Sequence, residues 1–214
     1  MNKVITLKAD DPRNIEYTNL IKSATDEDLV IVARSPENRK DERVKPVAIK
    51  NDIYFYLAFD LGNAGTAFLG NWTDEQVGKA KENMFRRARL GDMFSVVFAG
   101  GRTLDEWMPD KGEPMNVLTT DAKCFGGGFL LCEDVLKTIW KKLGNYYIVP
   151  SSIHEILLIP DSAGLPAEAL DGMVKDVNAG GIAVTAHEIL SNRSFTVDEW
   201  VEGVDDVTDL VQAR

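Results

Sequence analysis

A chain of 214 residues with 44% hydrophobic and 27% charged side chains is long enough to bury a core without covalent staples, and its composition is that of a folded protein. A formal net charge of -10 repels phosphate backbones, which argues against direct nucleic-acid binding. No apolar run approaches the roughly 20 residues that span a bilayer, and the amino terminus lacks the long apolar core of a secretory signal, so the expected setting is the cytoplasm with no membrane contact.

In chain order, residues 4–7 read as a short strand and residues 14–21 as a helix begun near Asp11-Pro12, proline being tolerated in a first turn. The β-branched run at 29–32 reads as a strand, and the polar, proline-edged stretch 35–45 as a loop. An apolar aromatic run at 53–59 predicts a second strand, followed by turns at Gly62, Gly65 and Gly70. Thr73 and Gln76 stand in capping-box positions ahead of a helix predicted over 74–90, with Val77, Ala80, Met84 and Ala88 inward. Residues 93–98 read as a strand, and 100–113 as a loop whose Trp107 docks back on the body.

A short strand is expected at 116–118, then a glycine turn at 126–128 leading into Phe129-Leu130-Leu131. Val135, Leu136, Ile139, Trp140 and Leu143 give residues 133–143 a strong amphipathic helical pattern, ended by Gly144. Strands at 146–149 and 154–159 flank Pro150-Ser151-Ser152, because proline cannot donate to a sheet ladder. Helices are predicted at 166–177 and 186–190, the second with Thr185 and Glu188 in capping-box positions. The sum is an α+β fold: a mixed or antiparallel sheet covered by three or more helices. Residues 1–100 form an α/β region packing on 101–214, in one compact unit.

Candidate chemistry centres on residues 150–161. Ser151 or Ser152 with His154 and Asp161 supplies the residue types of a hydrolase triad, though no GxSxG elbow is present. The two histidines each begin the same tetrapeptide, His154-Glu155-Ile156-Leu157 and His187-Glu188-Ile189-Leu190. A metalloprotease motif needs a second histidine one turn on, and Leu158 and Ser191 occupy those places, so no metal and no cofactor is expected. Gly126-Gly127-Gly128 lacks the lysine and hydroxyl that follow a phosphate loop and is expected to serve a tight turn or a close backbone approach. Cys124 and Cys132 match neither a metal knuckle nor a redox pair and are expected to be free thiols.

Acidic residues gather at the carboxyl end. Asp198, Glu199, Glu202, Asp205, Asp206 and Asp209, together with Glu155, are the candidate partner-binding residues. They suit a non-enzymatic cytoplasmic protein that binds a protein partner. One form of this is an inhibitor from a mobile element or phage that sets carboxylates where the phosphates of a defence enzyme's nucleic acid would sit. The alternative is a small hydrolase using Ser151 or Ser152 with His154.

The residues Pro114, Val117-Leu118-Thr119, Leu131, Val135-Leu136, Tyr147-Ile148-Val149-Pro150-Ser151-Ser152-Ile153-His154-Glu155, Pro160-Asp161 and Glu188-Ile189-Leu190-Ser191 follow one another in a distinctive order. Over about 114–191 the chain resembles a family of bacterial proteins of unknown function, with Pro-Ser-Ser-Ile-His-Glu as the most diagnostic element. Asn116 and Cys132 depart from that family, which tends to have aromatic residues there. The resemblance implies a shared design around His154 and Glu155 and supplies no activity.

Overall fold

A computed structural model describes residues 12–40, 43–110, 112–180 and 184–202. The strand expected at 4–7 lies outside the described residues. Helix α1 (Pro12–Ser23) is followed by a four-stranded antiparallel sheet of β1 (Leu29–Arg34), β2 (Ala48–Lys50), β3 (Ile53–Asp60) and β4 (Thr66–Phe68), in which β3 pairs with the other three. Helix α2 (Asp74–Arg87) leads into β5 (Ala88–Gly91), α3 (Met93–Ala99), β6 (Arg102–Thr103), β7 (Asn116–Thr120), α4 (Glu133–Leu143), β8 (Tyr146–Val149), β9 (Ile156–Pro160), α5 (Ala167–Gly180), β10 (Phe195–Thr196) and α6 (Val197–Glu202). The second sheet is antiparallel, in the order β10-β8-β9-β7-β5-β6. The α+β class read from the sequence holds, and no helix among the described residues is long and apolar enough to cross a membrane.

Local chemistry explains where the elements start and stop. The β2–β3 hairpin turns on Asn51 and Asp52 at φ 48° and 62°, left-handed positions that Asn and Asp tolerate in a two-residue turn. The Thr73 hydroxyl accepts from Gln76 N–H at 3.2 Å while the Gln76 side chain accepts from Thr73 N–H at 3.1 Å, so the capping box of α2 forms. That helix ends at Arg87 instead of 90: Ala88 and Leu90 turn inward and Arg89 outward in strand alternation, pairing with β7. The Arg87 guanidinium reaches Asp60 at 2.8 Å and Asp121 at 3.0 Å, tying the helix end to both sheets.

The main core cluster joins Leu29, Ile31, Phe55 and Leu57 of the first sheet to Leu118, Ile148, Ile156 and Leu158 of the second. On the opposite face of the second sheet, α5 packs Leu170 and Val174 against Val149 and Ile159. Trp107 docks back as expected and is buried, while Trp140, expected inward on α4, stands half out with its indole N–H on Asn145.

Between the sheets lies a 3₁₀ helix at Gly126–Leu131, where the sequence suggested a turn into apolar residues. An added Cβ would stand 2.3 Å from the His154 carbonyl oxygen at Gly126, 2.6 Å from a Leu190 methyl at Gly127 and 2.1 Å from the Ile31 carbonyl oxygen at Gly128. The three glycines are the seam that lets backbones of β1, the 150–155 turn and the 188–190 turn approach one another.

Candidate functional site

The backbone of the turn after β8 is held by the hydroxyls of Ser152 and Thr119 and by the backbones of distant segments. Ser152 Oγ accepts from His154 N–H at 3.1 Å and Glu155 N–H at 3.2 Å. Ile153 N–H donates to the Glu188 carbonyl at 2.8 Å, and Ser152 bridges to Ile189. Gly126 N–H donates to the His154 carbonyl at 3.0 Å, Gly127 N–H to the Ile153 carbonyl at 3.1 Å, and Thr119 Oγ1 to the His154 carbonyl at 2.7 Å. Strand β9 therefore begins at Ile156 and not at 154, because the backbone of His154 is already engaged by Gly126, Thr119 and Ser152.

These contacts do not assemble the triad residue types. No hydrogen bond joins the Ser151 or Ser152 hydroxyl to the imidazole among the described residues. Asp161 opens a 3₁₀ turn at the far end of β9, five strand residues from the His154 turn, a span of roughly 16 Å at about 3.3 Å per residue.

His154 instead faces Glu188, with Nε2 and Oε1 3.3 Å apart, so the two His-Glu tetrapeptides meet crosswise. Its Nδ1 is buried without a hydrogen-bond partner. His187 lies elsewhere, its Nδ1 3.2 Å from Asn38 Oδ1, and no group of three or more His, Cys, Asp or Glu that could hold a metal occurs among the described residues. The helix expected at 186–190 is a turn: Glu188 Oε2 accepts from Thr185 N–H and Oγ1 at 2.9 and 2.7 Å, but the backbone bends away to bridge Ser152. Those two bonds, more than the nearby imidazole, hold the Glu188 carboxyl below the usual range, whereas burial pushes Glu155 up.

Of the carboxyl-terminal acids, Asp198 is exposed. Glu199 is engaged in capping: its Oε2 accepts from Thr196 N–H at 2.8 Å. The Glu202 side chain and Asp205, Asp206 and Asp209 lie outside the described residues. Cys124 and Cys132 form no disulfide, the Cys132 thiol donates to the Gly128 carbonyl at 3.6 Å, and burial raises that thiol to about 12. Two open grooves, one of about 980 Å³ between α2 and α4 and one of about 510 Å³ beside Asn51 and Arg193, are not lined by Ser151, Ser152, His154 or Asp161.

The largest chemical anomaly sits on α3, which the sequence suggested would be a strand. Its aromatic and β-branched residues favour a strand, yet Asp92 caps a helix by accepting from Ser95 N–H at 2.9 Å, and Gly100 ends it in the left-handed region at φ 81°. Only Val96 is buried. Phe94 and Phe98 are 70% and 74% exposed, their rings 4.8 Å apart, and Met93 and Val97 are exposed beside them. The Lys123 ammonium donates to the Val97 carbonyl at 2.6 Å, at the carboxyl end of the helix. The sequence signal was the pair Asp92 and Ser95 at cap spacing, with Gly100 as the stop.

Comparison with known proteins places residues 69–198 within the model of a family of unknown function, DUF5688. No curated protein and no solved structure matches.

Proposed function

The chain belongs to the DUF5688 family of unknown function, and from that premise we propose that it is a non-enzymatic, cytoplasmic binding protein whose contact surface is the apolar face of α3. The family carries no activity to transfer, so the surface itself supports the reading. The single observation that carries it is the exposure of Phe94 and Phe98, whose rings meet at a 42° tilt on a helix that buries one side chain.

With Met93 and Val97 the two rings expose roughly 450 Å² of apolar surface, within the ~300–600 Å² of the largest apolar patch on a typical monomer, which is often functional. At about 25 cal/mol per Å² its burial is worth on the order of 10 kcal/mol before the cost of association. The 150–155 turn supports the fold, since its polar backbone atoms are met by Thr119, Gly126, Gly127 and Glu188.

Capture with wild-type bait and with a Phe94→Asp/Phe98→Asp bait of equal helical content tests the proposal. A partner held by the first and lost by the second is the expected result. Identical recovery by both would remove α3 as the contact surface.

A further inference from the structure

We infer that the first sheet carries an anion site built around Arg34, which takes the phosphate group of a small molecule. The site shares no residue with α3 and does not rest on the reading of that helix as a contact surface.

Strand alternation and register gather its members. Arg34 closes β1 directly across the ladder from Tyr54, Tyr56 follows two residues along β3, and Phe68 of β4 stands across from Ala58. Residues two apart in a strand, and residues paired across a ladder, share a face. Arg34, Tyr54, Tyr56 and Phe68 therefore lie on the side of the sheet opposite Leu29, Ile31, Phe55 and Leu57. The Arg34 guanidinium carbon is 5.8 Å from the centroid of the Phe68 ring and the Lys40 ammonium 4.1 Å, while the Tyr56 hydroxyl accepts from Lys40 N–H at 3.0 Å.

What singles out Arg34 is the lack of an acceptor. Arg34, Arg87 and Arg89 are the half-buried arginines among the described residues. Asp60 and Asp121 meet Arg87, and the Arg86 and Ala88 carbonyls meet Arg89. Arg34 makes no hydrogen bond or ion pair among the described residues, and Asp41 and Glu42 of the neighbouring loop lie outside them. Burial lowers the pKa of Arg34, whereas at Arg87 burial is outweighed by Asp60 and Asp121 and the value is raised. The Arg34 nitrogens are not sealed from solvent, so an acceptor from outside can reach them. Tyr56 is 1% exposed and burial raises its pKa, so it keeps its proton, for which no acceptor occurs among the described residues.

These donors decide the ligand. A guanidinium fork, a phenol proton and an ammonium grouped around one ring suit the three free oxygens of a phosphate group better than the two of a carboxylate. A net charge of -10 repels a long polyanion, and the single phosphate of a small molecule meets far less of that repulsion.

Calorimetric titration of the full chain, in buffer free of phosphate and sulfate, with inorganic phosphate, glycerol phosphate and acetate is the test. Inorganic phosphate is expected to bind at least ~10-fold more tightly than acetate and to raise the thermal midpoint of the wild type. Arg34→Gln is expected to weaken phosphate binding at least ~10-fold and to remove the thermal shift at unchanged circular dichroism. Arg34→Lys, which keeps the charge and loses the fork, is expected to weaken it several-fold, and Arg193→Gln on a separate exposed position to leave it unchanged. Tighter binding of glycerol phosphate than of inorganic phosphate assigns the site to phosphate esters, and the reverse order assigns it to the free ion. No phosphate binding by the wild type, equal binding of phosphate and acetate, or equal phosphate binding by wild type and Arg34→Gln overturns the site.

Discussion

Gly128 lies against Ile31 so closely that a Cβ on the glycine would stand 2.1 Å from the Ile31 carbonyl oxygen and 2.9 Å from its carbon. Both atoms belong to the backbone of a strand buried along almost its whole length, so nothing soft is available to move. Gly128→Ala is expected to destabilise the fold by about 3 kcal/mol, the upper range for overpacking. Gly78, inside α2, meets nothing within 4 Å, and Gly78→Ala is expected to stabilise by about 1 kcal/mol through helix propensity. Urea midpoints of the two variants should move in opposite directions.

Ser151 and Ser152 are adjacent and both buried, yet their hydroxyls have different work. Ser152→Ala strands the N–H groups of His154 and Glu155 and is expected to cost about 1–2 kcal/mol. Ser151→Ala removes no side-chain hydrogen bond, and its expected change is within about 0.5 kcal/mol. Equilibrium unfolding of both variants checks the contrast.

Glu155 and Glu188 bias the pH dependence of stability in opposite senses. Glu188 has a lowered folded value, so its contribution is present above the unfolded glutamate pKa and is lost as pH falls through the folded one. Glu155 has a raised folded value, so its contribution is present below the unfolded pKa and is lost as pH rises through the folded one. Glu155→Gln is therefore expected to raise stability at neutral pH, and Glu188→Gln to lower it and flatten the acid limb. Urea titrations between pH 3 and pH 7 would show the two shifts.

The contrast between α4 and α3 shows what the sequence made legible. Residues 133–143 alternate apolar and charged faces and end at Gly144 with φ 77°, and the helix and the following strand Tyr146–Val149 have the bounds that pattern predicts. Such segments carry most of their burial in their spacing, with Trp140 as the exception on α4. Residues 93–99 do not: a run of Phe and Val implies burial, and only the Asp92 cap and Gly100 stop disclose a helix that leaves its aromatics in water. The short strands β2, β4, β5, β6 and β10 were equally hidden, since two to four residues set no period and are defined by their partners. At the 150–155 turn the sequence located a polar cluster. Its attachment to Gly126, Gly127 and Glu188 depends on contacts between distant segments, which no local spacing encodes.

The most direct measurement is carbene footprinting of Phe94 and Phe98, comparing dilute purified protein with the same chain inside cells that express it. A binding role for α3 predicts strong labelling of both rings in dilute solution and marked protection in the cell, with exposed Met173 on α5 labelled equally in both. Equal labelling of Phe94 and Phe98 in the two settings would contradict it.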